Sequence, residues 1–138
     1  MNNPDIADRD DIRALLVAFY TRAYADDLLG TIFTDIARMD LDAHLPTMCD
    51  FWETVLFRSG TYRGNAYIPH AELHEKVELT WPLFERWLEL WRMTVDERHA
   101  GPRSDRAKLQ AERIAVSIHH RLASGSQLPG LRPIPAPR

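Results

Sequence analysis

The sequence predicts an all-α fold of four or five substantial helices and one short one. Three observations carry this. Apolar residues recur with a period near 3.6 in one segment after another, no stretch alternates as a half-buried strand would, and Asp, Pro and Gly fall where helices start and stop. At 138 residues the chain holds one domain. It is 45% hydrophobic and 27% charged. That is the composition of a globular domain and excludes a wholly disordered, collagenous or disulfide-framework chain.

The first stripe runs Ile12, Leu15, Leu16, Phe19, Ala23. Asp8, Asp10 and Asp11 crowd its start, where carboxylates suit the positive end of a helix. Leu28, Leu29 and Gly30 break the pattern, and Ile32–Phe33 form an apolar pair in a turn. The second stripe is Leu41, Leu45, Met48, Trp52, Val55, Leu56, capped by Asp40 or Asp42. Pro46 is tolerated only in a first turn, so the regular helix is expected to begin near residues 42–45. Gly60 ends it. Residues 61–68 read as a loop around Gly64–Asn65. Pro69 then opens a short helix to about Lys76. The next segment opens at Thr80 with Pro82 just inside and carries Phe84, Trp87, Leu88, Trp91 and Val95. Gly101–Pro102 stops the chain, and Ser104–Asp105 open a last helix with Ile114, Ala115, Ile118 and Leu122 on one face. Residues 1–124 therefore form the domain. Residues 125–138, with four prolines and two glycines, read as an unfolded tail.

The net charge is −3, from 17 Lys and Arg against 20 Asp and Glu. Only Arg132 and Arg138 lie in the tail, so the domain carries 15 cations against all 20 acids. An acidic body argues against nonspecific nucleic-acid binding. No apolar run approaches the roughly 18 residues of a membrane span. The acidic opening lacks the marks of a secretory signal. A single cysteine, Cys49, allows no intrachain disulfide, and a reducing cytoplasm is the expected home.

No phosphate loop, G-x-S-x-G, C-x-x-C or H-E-x-x-H occurs, and one cysteine excludes a thiolate zinc cage. The chemistry must lie among six histidines: His44, His70, His74, His99, His119 and His120. One reading makes them surface or satisfied core residues in a haem-free helical bundle that serves as an interaction module. His99 beside Glu97 and Arg98 reads this way, and the adjacent His119 and His120 cannot both face inward. A second pairs His70 with His74 at i, i+4, a spacing that grips a divalent ion but supplies two ligands only. A third makes His70 the single axial ligand of haem iron, walled by Phe33, Phe51, Phe84, Met48 and the tryptophans. Composition alone favours the first.

The order of specific pairs changes the weighing. Phe19–Tyr20 ends the first stripe; Leu29-x-x-Ile32–Phe33 follows; His44 stands seven residues before Phe51–Trp52. Then come Tyr62-x-Gly64, His70 six positions on, and Arg86–Trp87–Leu88. In this order and with these gaps, residues about 10–122 resemble the truncated haemoglobins, specifically their third group, the P type. The resemblance implies a truncated globin fold, helices packed two over two around haem b. It places His70 on the proximal iron ligand and Tyr20, His44 and Trp87 on the distal polar positions. Phe33, Met48 and Phe51 fall on residues that pack on the haem, with Phe84 in the wall. Two departures stand out: Pro46 two residues after His44, which leaves that imidazole room to swing, and Leu83–Phe84 where the family often has His–Phe.

A pocket of this kind implies reversible binding of O₂, NO and CO, with Tyr20 and Trp87 donating to the polarised ligand. Hydrogen bonds to charged partners contribute about 1.5–3 kcal/mol, so each donor slows O₂ loss roughly ten- to a hundredfold. Oxidation of NO and reduction of peroxide are the reactive outcomes open to it, with an unidentified reductase as partner. Arg63 and Lys76 flank the proximal segment; they read first as solvated cations and second as partners of haem propionates. Cys49 reads as a small core residue.

Overall fold

The computed structural model describes residues 3–36, 39–60, 62, 64–65 and 67–124. The expected contacts of Arg63 and the tail from residue 125 fall outside them. The described residues form five α-helices: α1 Arg9–Ala25, α2 Leu41–Phe57, α3 Tyr67–His74, α4 Trp81–Arg98 and α5 Pro102–Ser124. A π-helical turn, Ile32–Ile36, stands between α1 and α2. No strand occurs among the described residues, and none of their helices is long and apolar enough to cross a membrane.

The helices form for the reasons their ends announce. Asp8 caps α1, its side chain accepting the Asp11 N–H, with Asp10 and Asp11 in the first turn. Thr80 precedes α4 with Pro82 at its second position, as its sequence predicts. Two boundaries differ. The α2 helix starts at Leu41, earlier than Pro46 suggests, because the Asp40 side chain accepts the Ala43 N–H. Pro46 then lies inside the helix without an N–H for the Asp42 carbonyl four residues back. Both residues are exposed, so water can take that carbonyl's place in the ladder. The α5 helix starts at Pro102 instead of Ser104–Asp105, since a proline is best tolerated at the first helical position.

The first and second helices pack on each other, as do α4 and α5, and α1 against α4 and α2 against α5 tie the two pairs together. This is the two-over-two arrangement. Trp91 marks the junction: it is 1% exposed, stacks on Trp52 of α2 with ring centroids 4.8 Å apart, and meets Phe19 of α1 edge-on at 5.3 Å. Its indole N–H donates to the Ala107 carbonyl of α5 at 3.2 Å. A buried tryptophan whose donor is satisfied fills the core without leaving a polar group unpaired. Ala107, Ala111 and Ala115 keep one face of α5 smooth, which lets α4 approach closely.

One element escapes the periodicity altogether. Residues 3–8 run as a strap across the α4–α5 corner, burying Ile6 completely. The Asp5 carboxylate accepts the N–H groups of Arg103 and Ser104 and the Ser104 hydroxyl, at 2.7–2.9 Å. These are the first two N–H groups of α5, since Pro102 has none, and Gly101 has no side chain to cap them. The cap arrives from nearly a hundred residues away.

Candidate functional site

The residues singled out by sequence gather into two aromatic clusters bridged by α4. On one side Phe19, fully buried, stands between Tyr20 and Trp87, with edge-on contacts at 4.8 and 5.7 Å. Phe33 closes the same cluster, its ring edge-on to Tyr20 at 5.6 Å and tilted to Tyr24 at 5.9 Å. On the other side the His70 imidazole of α3 lies roughly parallel to Phe84, 6.4 Å between centroids. Trp81 and His119 complete that wall, at 6.3 and 5.7 Å from Phe84. Because Phe84 and Trp87 are three residues apart on α4, they share one side of the helix. A single helix therefore fixes the spacing between the two clusters.

The turn after α1 explains how Phe33 reaches Tyr20. Asp26 closes the helix, and its carboxylate accepts the N–H groups of Leu28 and Leu29 at 3.0 Å. Gly30 then folds tightly onto α1: a Cβ there would lie 2.5 Å from the Tyr24 carbonyl oxygen. The wide π turn carries Phe33 back over the helix end. Arg86, the neighbour of Trp87, reaches across to Asp26 with its Nε at 2.8 Å and Nη2 at 2.7 Å. This ion pair joins the α1 corner to the register of α4 that bears Trp87.

Tyr20 and Trp87 are half-buried, and among the described residues neither the phenol nor the indole N–H has a hydrogen-bond partner in the protein. Burial first, then the proximity of Tyr24, pushes the Tyr20 phenol well above its ordinary pKa, so it stays a proton donor at neutral pH. Met48 and Phe51 are half-buried on α2, and Phe51 meets Tyr62 edge-on at 5.1 Å. His44 behaves differently. It stands exposed in the first turn of α2, and the ring contacts of Tyr20 are with Phe19, Tyr24 and Phe33.

Three of the remaining histidines have structural employment. His74 accepts the Leu79 N–H at its Nδ1, 3.0 Å away, and so stitches the α3–α4 turn. Among the described residues no group of three or more His, Cys, Asp or Glu side chains is placed to hold a metal ion. His119 packs against Trp81 and Phe84 while His120 is exposed. His99 is 7% exposed; its Nδ1 lies 3.1 Å from the Pro4 carbonyl under the strap. The Cys49 thiol is buried, and burial raises its pKa, which keeps it protonated and unreactive. Lys76 is exposed.

The arrangement suits a flat, mostly apolar group with a single imidazole ligand: one histidine beside Phe84, a second aromatic cluster reached along α4, and two donors without a protein partner among the described residues. An iron porphyrin has that chemistry, and these residues fit it. No family profile matches the chain, and no curated protein sequence does. Among solved structures, the crystal structure of group III truncated hemoglobin from Campylobacter jejuni superposes with a TM-score of 0.75. The match covers 87% of this chain and 94% of that one, at 23% sequence identity. Likeness at that identity establishes the fold, two helices over two, as that of a truncated globin.

Proposed function

We propose that this truncated-globin fold is a haem protein that reversibly binds diatomic ligands such as O₂, NO and CO. The observation that carries the reading is the pair of donors, Tyr20 and Trp87, held either side of Phe19 with no protein acceptor. Neither polar atom is sealed in the core, so both donors are open to a ligand. Protohaem, when bound, supplies an iron with an open position for the diatomic.

In this reading His70 holds the iron, with Phe84 packed along its imidazole to limit rotation of the ring. A hydrogen bond from the second ring nitrogen would set the tautomer. Phe33, Met48 and Phe51, each half-buried and apolar, would exclude water from the porphyrin once it is bound. The Tyr20 phenol, whose proton burial retains, and the Trp87 indole N–H donate to a ligand that carries partial negative charge. Retention of such a ligand favours chemistry upon it over its delivery. Turnover of NO or peroxide would need electrons from a separate reductase.

The test is an absorption spectrum of protein expressed with ample haem, recorded as isolated, reduced, and under carbon monoxide. An intense blue-violet band that shifts at each step is expected. His70→Gly should lose that pattern and regain it with added imidazole. A colourless protein that takes up no haem overturns the reading and leaves a haem-free bundle.

A further inference from the structure

A groove of about 320 Å³ lies on the outer side of α5 near its C-terminal end, where that helix passes the start of α4. Val116, His119, His120 and Ala123 form one side and Trp81 the other, and the surface they present is almost wholly apolar. Val116, at 50% exposure, is the most open large hydrophobic among the described residues, and His120 and Ala123 are exposed beside it. Trp81 and His119 also pack on Phe84, but neither Phe84 nor His70 lines the groove, which opens to solvent on the far side of that wall.

We infer that this groove is the docking site of the chain's own residues 131–136. The chain leaves α5 at Ser124, next to Ala123 at the groove's end. Seven residues carry it on to Leu131, a reach of up to about 23 Å. Leu128-Pro129-Gly130-Leu131 has proline at its second position and glycine at its third, the signature of a type II turn that sends the chain back. So short a tether makes the contact intramolecular, at an effective concentration in the millimolar range.

The periods of the two partners match. Pro133, Pro135 and Pro137 hold the residues before them extended, which predicts a polyproline II arm of three residues per turn. Leu131 and Ile134 then share one edge of the arm, about 9 Å apart. Val116 and Ala123 lie about 10.5 Å apart along α5. An arm antiparallel to α5 sets Leu131 against Ala123 and Ile134 against Val116, with Trp81 beside the prolines. Aromatic-lined grooves take such arms because a stiff chain has little entropy left to lose. An apolar cavity of about 150 Å³ accommodates one benzene. A groove of about 320 Å³ therefore has room for two aliphatic side chains.

Charge favours the same occupant. Residues 125–138 carry two arginines and no acid, against 15 cations and 20 acids in the body. Glu78 and Glu85, three residues before and four after Trp81, are exposed and have no cationic partner among the described residues. Arg132, off the apolar edge of the arm, is placed to meet them.

The test is NMR on the full chain, reduced and saturated with carbon monoxide so that any haem iron is diamagnetic. Nuclear Overhauser contacts are expected from the Leu131 and Ile134 methyls to the Trp81 ring and the Val116 methyls. Backbone order parameters of Arg132 and Ile134 should exceed about 0.6. Dilution should leave both unchanged, as a tethered contact requires. Val116→Asp and Ile134→Asp should each abolish the contacts that remain and lower the order parameters below about 0.6. Leu109→Asp, exposed on α5 outside the groove, should leave both intact. Circular dichroism establishes that each variant is folded. The inference is overturned if wild type lacks the contacts, if its order parameters already lie below that level, or if Val116→Asp keeps the contacts to Trp81. Contacts found between labelled and unlabelled chains in a mixed sample overturn it too, since the groove would then serve a second copy. The readouts do not use the haem, so a colourless protein would defeat the proposed function and leave the docking to be judged by the same spectra.

Discussion

At the residue scale, the three distal candidates separate by exposure. Tyr20 and Trp87 share contacts with a buried phenylalanine and offer unpaired donors, whereas His44 is out in solvent two residues before a proline. Stopped-flow displacement of O₂ by CO should therefore rank them. On the proposed function, Tyr20→Phe and Trp87→Phe would each remove a charge-assisted hydrogen bond to the ligand, and O₂ release should accelerate about ten- to a hundredfold. His44→Leu should change it by no more than about twofold, the range of an ordinary surface substitution. A tenfold effect at His44 would mean that its side chain swings inward when ligand binds. The family resemblance carried by the pairs Phe19–Tyr20, Ile32–Phe33 and Arg86–Trp87 singled out Tyr20, Phe33 and Trp87, and the structure brings these three into one aromatic cluster. What spacing could not reveal is that Phe19 alone, of the residues between them, joins Tyr20 to Trp87. That contact spans 68 positions of sequence and depends on how α1 crosses α4.

At the element scale, the helices were readable wherever amphipathic period and end signals agreed. Thr80 with Pro82 fixed the start of α4, and Asp8 that of α1. Two signals conflicted and misled: Pro46 argued for a late α2, and Gly101–Pro102 for a stop where a proline in fact opens a helix. The Asp26–Arg86 pair was invisible, since it joins a helix end to a helix side 60 residues on. Its consequence is testable. Burial opposes ionisation of Asp26, but hydrogen bonds from Arg86, Leu29 and Leu28 outweigh it and hold the carboxyl below the usual range. Replacing Asp26 with Ala removes the carboxylate oxygen that accepts both N–H groups closing the α1 corner and should cost about 1–2 kcal/mol in urea unfolding. Phe33 would lose its support, so O₂ release should quicken in the folded variant as well. An unchanged off-rate beside the stability loss would restrict the pair to a structural role.

At the scale of the whole molecule, the strap decides how the two helix pairs are closed at their far corner. Asp5 reaches α5 only because Gly101 is bare: a Cβ there would lie 2.7 Å from the Asp5 Cγ, and the backbone at φ 139° is one that side chains rarely adopt. Gly101→Ala should accordingly destabilise by about 1–3 kcal/mol, read as a lowered urea midpoint.

The strap also makes stability depend on acid. Burial disfavours the Asp5 carboxylate, but hydrogen bonds from the Ser104 hydroxyl and from the N–H groups of Arg103, Ile6 and Ser104 prevail and lower its pKa. A carboxyl lowered on folding contributes in full above its unfolded value, near about 3.9, and the contribution fades as pH falls through the folded one. Asp26 follows the same rule, so acid sensitivity of the wild type alone would not identify the strap. The difference between wild type and Asp5→Asn isolates it. At pH 7 the variant should be less stable by about 1–2 kcal/mol, the worth of a helix cap, and the gap should narrow as pH falls below the unfolded value of about 3.9 towards the lower folded one. The asparagine keeps the side-chain oxygen but not the charge. A gap that stays constant from pH 7 to pH 3 would mean that Asp5 caps α5 by shape alone, and that the strap is indifferent to ionisation.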